Sequence, residues 1–447
     1  MRITMRFRAN LLILLFFAVF SYALSALTLD GYLEEVRKNS VKIRIKENDK
    51  NKSKWENLQS YSGYLPGLSL NGAYYYSRKN EDKLSAPGAS TDPSLSSVRN
   101  PLYTRNVTVS LPIFLGGKRV LGNLIAKRNK EISEIDLVLE RLNTEATAVA
   151  AYFQAFIAQE NIDFTKKALS AAQENMRTAK LLLEVGKTTE LAYLNFELAY
   201  RQREQELKNY RLELDKNKAQ MSSIASREIE FDRLEKVDFK EVEEPFVDSE
   251  YQEVFDKNKR IMLNNSPVLK KLKEYEKIAK YGELMTFSKI FPALSFTYVH
   301  DFGPAEDHPF QDTYLINDDT VTLSLSWNLF NGFSDAIDWK KASVNKISAQ
   351  LTYLDTKNGQ IYSLKSVVST VYSLLEQVLI ARKSVELSKK ALDQSKLEYE
   401  NGKALYLDLL NAENNYIQAL KSLVFLENSI FNSYYQLKLL TGSGDDK

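Results

Sequence analysis

The stretches Leu111-Pro112-Ile113-Phe114-Leu115-Gly116-Gly117 and Trp327-Asn328-Leu329-Phe330-Asn331-Gly332 decide the fold of this chain. They end two segments of alternating apolar and polar residues, and the shift in numbering that carries Gly116 to Gly332 superimposes them. The same shift, here called the downstream shift, carries Gly186 to Gly402, so the block between these glycines has no net insertion. The chain is therefore a duplication, which is typical of a repetitive architecture rather than a catalytic pocket.

Before these stretches a larger shift applies, here called the upstream shift, which carries Pro66-x-Leu68-Ser69 to Pro292-x-Leu294-Ser295. Copy one thus has ten extra residues between Pro66 and Phe114, and the Ser-, Pro- and Asp-rich stretch at 79–101 reads as a loop. We predict repeat one at residues 26–240 and repeat two at 241–447.

Residues 1–25 have the composition of a secretory signal. Arg2, Arg6 and Arg8 precede an uninterrupted apolar run at 11–20, and Ala23-Leu24-Ser25 places small residues where a signal peptidase reads. A membrane anchor is the alternative, but the run is about half of the roughly twenty residues that a spanning helix needs. We therefore expect cleavage near Ala26.

The composition excludes several classes of function. The chain has no cysteine, which removes disulfides, cysteine-ligated metals and thiol catalysis. Its 60 basic and 58 acidic residues nearly balance, which argues against a nucleic-acid partner. His300 and His308 are the only histidines, so a metal site has little support and we predict no metal and no cofactor. No nucleophile with a base and no phosphate-binding loop is evident, so an enzyme is not expected.

Two long helices and two return helices follow from the distribution of glycine and proline. Neither residue interrupts 123–185, and apolar residues recur there at three and four positions, as in a long helix packed against neighbours. We predict long helices at 118–184 and 334–400, with Gly359 as a weak point or kink, and return helices at 188–226 and 404–440. Gly186 and Gly402 would turn the chain between them.

Four alternating segments predict strands at about 66–77, 103–114, 292–302 and 320–330. Each is about ten residues long, which crosses a bilayer when the strand is tilted. Aromatic residues at the strand ends are typical of interfacial girdles (Tyr103, Phe114, Phe291, Phe302, Tyr314, Phe330). A soluble, half-buried sheet would show the same alternation. If the strands span a membrane, other copies must complete the barrel, because an open edge in lipid leaves backbone groups unsatisfied.

Over nearly its whole mature length the chain resembles the TolC-type outer-membrane efflux family. The resemblance lies in Leu27-Thr28-Leu29-Asp30, the paired Pro-x-Leu-Ser strand starts, the two stretches quoted first and the segments at 184–197 and 400–413. It implies a mixed α and transmembrane β fold: four strands per chain in a trimeric 12-stranded β-barrel, on a long α-helical periplasmic tunnel, with an equatorial segment at 227–264. It also implies a location in the outer membrane of a Gram-negative-type bacterium, extending into the periplasm.

The resemblance further implies an exit duct of a tripartite efflux or type I secretion system. The homotrimer would contact outer-membrane lipid, a periplasmic adaptor (membrane fusion) protein and an inner-membrane pump, and would conduct substrate passively. The turns that would meet the adaptor are Val185-Gly186-Lys187 and Asn401-Gly402-Lys403. Drugs, metal ions and secreted protein all remain open as cargo.

The gate residues that the resemblance implies are Tyr399, Asp408 and Asn411. Family channels can narrow their mouth with two acidic residues six and nine positions after the second tip glycine, but here the second position holds Asn411. Ala192 and Ala404 stand where the partners of the Tyr399 aromatic are often polar or charged. We expect three copies of Asp408 to line one constriction and favour cations; an ordinary solvated helix carboxylate is equally compatible with the sequence.

Two other classes remain beside the duct. A structural or adhesive coiled-coil envelope protein would explain the long helices but not the four alternating strands. A soluble periplasmic hydrolase would need a catalytic cluster that the sequence does not offer.

Overall fold

The computed structural model describes residues 26–75, 102–239, 242–243, 246, 249–302 and 318–443. The predicted signal at 1–25, the loop at 79–101, Tyr314, His308 and parts of the equatorial segment lie outside the described residues.

Within the described ranges the chain forms long helices and one small sheet. The helices are α1 (Leu29–Asn39), α2 (Val41–Gln59), α3 (Lys118–Glu184), α4 (Glu190–Ala225), α5 (Tyr251–Asn265), α6 (Pro267–Phe287), α7 (Ser334–Glu400) and α8 (Tyr406–Thr441). The strands are β1 (Gly67–Tyr75), β2 (Leu102–Leu115), β3 (Ala293–Asp301) and β4 (Asp318–Ser326).

The duplication extends to the bounds of the helices. The downstream shift carries both ends of α3 to those of α7, and both ends of α4 to those of α8. The long helices have the predicted bounds, while the return helices begin two residues later than predicted. Gly359, considered as a weak point or kink, does not interrupt α7, which continues through it. One glycine costs a helix interior about 1 kcal/mol, too little to interrupt a helix of this length.

The two hairpins of the sheet have the same register. The described strands form one antiparallel sheet in the order β1-β2-β3-β4. Gly67 lies opposite Ser110 in the first hairpin, and Ala293 lies opposite Ser326 in the second, which are equivalent pairs under the two shifts. Between the hairpins, β2 pairs with β3 as far as Leu115, with a bulge between Pro112 and Phe114. A bulge accommodates the missing N–H of proline inside a sheet.

The prediction that the fourth strand reaches residue 330 is wrong, because β4 ends at Ser326. Its counterpart β2 continues to Leu115, and the pairs that residues 111–115 make are with β3. The equivalent residues 327–331 lie at the end of a strand that has one neighbour among the described strands. The strand is shorter for lack of a partner, not for lack of a suitable sequence.

One face of the sheet is apolar and exposed. Cross-strand neighbours share a face, and here they include Leu68 with Val109, Leu70 with Val107, and Phe296 with Leu323. Leu68 and Leu70 are each 75% exposed, and every residue of β4 is exposed. A soluble half-buried sheet would cover this face with another layer, and among the described residues no such layer is found.

The chain divides into two compact units that do not coincide with the two copies. One unit contains the described residues up to Asn48, those of Ile135–Lys270 and those from Leu354 onward. The other contains Asp49–Glu134 and Lys271–Tyr353, and so includes the whole described sheet. Each unit therefore contains segments of both copies.

The first unit contains the main apolar core, which contacts the equatorial segment at 227–264. Phe153 of α3 stacks on Phe431 of α8, with ring centroids 4.7 Å apart. The buried Tyr152 hydroxyl lies 2.8 Å from the carbonyl oxygens of both Leu27 and Glu235. Burial raises the pKa of Tyr152. Because these contacts join chain segments far apart in sequence, the equatorial segment is fixed to the long helix.

A second core cluster of the same unit involves α7. Leu364, Val368 and Val371 are fully buried there and pack with Met262 and Leu437. Of the described helices, α7 alone is long and apolar enough over 18 residues to cross a membrane by length and composition, and a third of that stretch is buried. Its apolar side chains therefore serve at least partly as a packing face.

Candidate functional site

The two predicted tips are the same helix-ending turn. Gly186 and Gly402 have φ values of +71° and +70°. In the first tip the Lys187 N–H donates to the Leu182 carbonyl at 2.8 Å. In the second the Lys403 N–H donates to the Glu398 carbonyl, also at 2.8 Å. This is the Schellman arrangement, in which a left-handed residue satisfies the last helical carbonyls and reverses the chain.

Both glycines are required by backbone conformation alone. A Cβ built on Gly186 or Gly402 meets no heavy atom within 4 Å. Val185, Lys187, Asn401 and Lys403 beside them are all exposed, and Val185 is 66% exposed. At each tip a left-handed glycine therefore ends the helix, and the side chains beside it are accessible.

Asp408 lies in the first turn of α8 and has a structural partner. Its Oδ2 accepts a hydrogen bond from the Leu405 N–H at 3.1 Å. In copy one the roles are reversed, because the residue before the helix supplies the side chain: Thr189 Oγ1 accepts from the Ala192 N–H at 3.2 Å. Leu405 replaces Thr189 and Asp408 replaces Ala192 under the downstream shift. Each copy therefore has one half of a capping box.

The exposed face of α8 continues from Asp408 as a polar stripe. Residues three or four positions apart share a helix face, and from Asp408 to Ser422 the exposed residues at this spacing are Asp408, Asn411, Asn415, Gln418 and Ser422. The polar stripe ends there, because the next exposed residue at this spacing is Phe425. Asp408 is the one charged member of this set. The stripe is therefore suited to water, with a negative charge at the end nearest the tip.

Tyr399 lies in an aromatic cluster beneath the second tip. Its ring packs edge-on against Tyr406 with centroids 6.4 Å apart, and Tyr406 also contacts Phe196 of α4. Burial raises the pKa of Tyr399. Burial, with smaller effects of Glu413 and Tyr399, raises the pKa of Tyr406 to about 12. Both phenols thus stay neutral at physiological pH and act as packing groups.

Arg203 joins the two return helices one turn further on. Its guanidinium, 14% exposed, donates to Glu206 on α4 at 2.8 Å and to the Asn414 side chain on α8. Burial raises the pKa of Glu413, and the charge of Arg203 partly opposes this shift. A half-buried arginine therefore links the two return helices behind the tips.

The structure places Tyr399 in the last turn of α7, and the Asn401–Lys403 turn follows that helix. Asp408 and Asn411 lie on the exposed face of α8. Ala192 and Ala404 are half-buried and supply no side-chain polar group. Sequence reasoning missed Thr189 and Arg203. Threonine before a first-turn glutamate is a signal for Thr189, but nothing in the sequence indicates the contact of Arg203 with Asn414. No group of three or more His, Asp and Glu side chains close enough to hold a metal occurs among the described residues.

Comparison with known families identifies the architecture. The family model described as outer membrane efflux protein matches residues 53–226 and 263–443, well over half of the chain. The chain belongs to the outer membrane efflux protein family. A search of curated protein sequences gives no significant match.

Solved structures of outer-membrane channels share the fold of this efflux protein. CmeC of Campylobacter jejuni matches with a TM-score of 0.77 and 18% identity, over 93% of this chain and 86% of that one. VceC of Vibrio cholerae matches with a TM-score of 0.73 and 16% identity, over 93% and 96% of the two chains. The open-state MtrE channel of Neisseria gonorrhoeae gives 0.74 and 14%, over 93% and 88%.

These findings confirm the predicted family and fold class. The protein is an efflux channel of the outer membrane that extends into the periplasm. Its family and fold are those of channels rather than enzymes.

Proposed function

We propose that three copies of this efflux protein form a homotrimer that passively conducts substrate from a periplasmic adaptor and an inner-membrane pump to the outside. The observation that carries the proposal is the four-stranded sheet with an exposed apolar face and two edge strands, β1 and β4. In hydrocarbon every backbone N–H and C=O must be paired within protein. Three sheets of four strands close one barrel of twelve strands, which removes all edges.

The polar stripe on α8 supplies a lining for the proposed tunnel. Its exposed amide and hydroxyl groups solvate varied cargo without selecting strongly for charge. Three copies of Asp408 around one axis would concentrate negative charge at the mouth, because nearby like charges add their fields. Asn411 follows one turn later and adds no charge, so this ring has half the carboxylates of a mouth that is acidic at both positions.

The tips are the proposed contact with the adaptor. Val185, Lys187, Asn401 and Lys403 are exposed there. The adjoining first turns of α4 expose a leucine stripe as well, in which Leu191 is 69% exposed. The other exposed members are Leu194 and Leu198. An apolar stripe beside basic tip residues is suited to a helical protein partner rather than to water alone.

A structural or adhesive coiled-coil envelope protein is the alternative that the long helices allow. It gives no reason for a sheet whose apolar face is exposed, whereas a barrel in lipid does.

Conductance of the purified protein in planar bilayers tests the proposal. The variants are Asp408→Asn, which removes the charge and keeps an acceptor for the Leu405 N–H, and Asp408→Ala, which removes both. Glu190→Gln is the matched control, because Glu190 is also an exposed first-turn carboxylate of a return helix but corresponds to Tyr406, on a different helix face from Asp408.

Wild type should give a defined trimeric conductance with cation preference. Both Asp408 variants should lower that preference about equally, and Glu190→Gln should not. Equal selectivity of all four proteins would place Asp408 away from the constriction. Protein that fails to insert into bilayers would contradict the barrel itself and favour the coiled-coil alternative.

A further inference from the structure

The duplication specifies how one copy of the chain pairs with the next. The upstream shift applied to β1 and the downstream shift applied to β2 carry the observed register of the first hairpin onto that of the second at every pair. The bounds of β1 map onto those of β3 without remainder. The β2–β3 pairing has no counterpart within the chain, because its equivalent strands are β4 and β1, which lie at opposite edges of the sheet.

We infer that β4 extends to Asn331 and pairs antiparallel with β1 of a neighbouring copy in the register of β2 with β3. This inference rests on the proposed trimer. Carrying the β2–β3 pairs through the two shifts gives the opposed residues of the interface, the second of each pair belonging to the neighbouring copy: Asn331 and Gly67, Phe330 and Leu68, Asn328 and Ser69, Trp327 and Leu70, and Ser326 and Asn71. Leu329 takes the bulge position of Ile113.

The chemistry of the facing residues agrees with this register. Trp327 and Phe330 meet Leu70 and Leu68, so the apolar face continues across the interface. Ser326 meets Asn71, so the polar face continues as well. A slip of one residue would set Trp327 against the polar face of β1, because side chains alternate along a strand. The register also explains why β4 ends at Ser326 in a single chain.

A second observation comes from the glycine after each strand. Gly116 lies so close to the carbonyl group of Ser288 that a Cβ would overlap its oxygen. Gly332, the equivalent glycine with a similar positive φ, has open space at the same place. The upstream shift relates Ser62 to Ser288, and each of these serines begins a short 3₁₀ helix. We therefore expect Ser62 of the neighbouring copy to fill the space beside Gly332.

Disulfide formation tests the register directly, because the chain has no native cysteine. Asn71→Cys is combined in turn with Ser324→Cys, Ser326→Cys and Asn328→Cys, and the full-length protein in detergent is oxidised. Opposed residues of an antiparallel pair have Cα atoms about 4.5 to 5.5 Å apart, within disulfide range. Partners displaced by two residues lie beyond it, since each residue adds about 3.4 Å along the strand.

Within one copy, residues 71 and 326 lie three strand spacings apart across the sheet, about 14 Å, and residue 71 is level with 318, so 326 lies about 27 Å further along β4. Any bond between them therefore joins two copies. Ser110→Cys with Thr297→Cys is the matched control, because this observed intrachain pair is the repeat equivalent of Ser326 with Asn71. Its oxidation shows that the geometry of this pair permits a disulfide.

Asn71→Cys with Ser326→Cys should give a covalent trimer on a non-reducing gel, with at least tenfold less from the other two combinations. Predominant cross-linking by a slipped combination would overturn the register. The register would also be overturned if no combination cross-links although the control oxidises and light scattering gives a trimer. In both cases the proposed function would stand. A monomeric mass for wild type would instead contradict the proposed function together with this inference.

Gly332→Ala offers an independent measurement. It should lower the temperature at which the trimer dissociates, because the added Cβ would meet Ser62 of the neighbouring copy. Gly402→Ala is the control, since Gly402 has a similar positive φ and its added Cβ would lie in open space. An equal dissociation temperature for Gly332→Ala and Gly402→Ala would contradict the inferred contact.

Discussion

Replacing the second tip glycine should loosen the end of α7 without disturbing the rest of the protein. Gly402 has φ +70°, and an alanine Cβ there would meet no atom within 4 Å. The cost is therefore that of left-handed backbone alone, about 1 to 2 kcal/mol for a residue with a Cβ. That free energy corresponds to a factor of about 5 to 30 in the local opening equilibrium.

The assay is amide hydrogen exchange of the intact protein. The Lys403 N–H donates to Glu398 only while the turn is closed, so its exchange in Gly402→Ala should accelerate by about 5 to 30-fold. The Lys187 N–H in the first tip makes the same hydrogen bond and serves as an internal reference that should not change. Gly402→Asn should accelerate exchange less, because asparagine tolerates the left-handed region better than alanine.

Gly359→Ala is the matched control in the same helix. Gly359 has ordinary helical geometry and open space around its Cα, so alanine should stabilise α7 there by about 1 kcal/mol. The two glycine-to-alanine changes should thus have opposite signs. Unchanged exchange at Lys403 in Gly402→Ala, or equal effects of alanine and asparagine, would refute the assignment of the turn to backbone conformation.

Three further predictions concern the core and the return helices. Tyr152→Phe removes a buried hydroxyl that bridges the carbonyls of Leu27 and Glu235, of which the Leu27 carbonyl still accepts from the Glu235 N–H, and should destabilise the protein by about 0.5 to 1.5 kcal/mol in denaturant unfolding; an unchanged midpoint would show that water replaces the hydroxyl. Thr189→Ala removes the cap of α4 and should cost about 1 kcal/mol, seen as faster exchange confined to its first turn. Burial raises the pKa of Glu413, so the folded state binds the proton of this carboxyl more tightly than the unfolded chain does. The resulting contribution to the free energy of unfolding is present below about pH 4 and is lost as the pH rises through the raised pKa. Glu413→Gln should therefore have a higher Tm than wild type at pH 8 and a similar Tm at pH 4, and a constant difference across pH would contradict this account.

Much of the fold follows from local chemistry that a sequence displays directly. The bounds of α3 and α7 were predictable because glycine and proline end helices through their own backbone preferences. The strands were predictable because alternation with period two places apolar residues on one face. The tip turns followed from Gly186 and Gly402, since a left-handed residue between two helices is nearly always glycine.

What the sequence could not decide depends on residues brought together from distant parts of the chain. Two sets of contacts arise only when the helices pack. The first is the hydrogen bond of Arg203 with Asn414, and the second is the hydrogen bonding of the Tyr152 hydroxyl to the carbonyls of Leu27 and Glu235. In each set, no single helix positions both partners. The end of β4 was mispredicted for the same reason. Alternation continues to Leu329, but a strand also requires a hydrogen-bonding neighbour, and that neighbour is not supplied by the strand's own sequence. By itself the sequence determined the elements and their duplication; the tertiary structure decided which polar groups are paired and which strand edges remain open, because pairing and burial are properties of assembled surfaces.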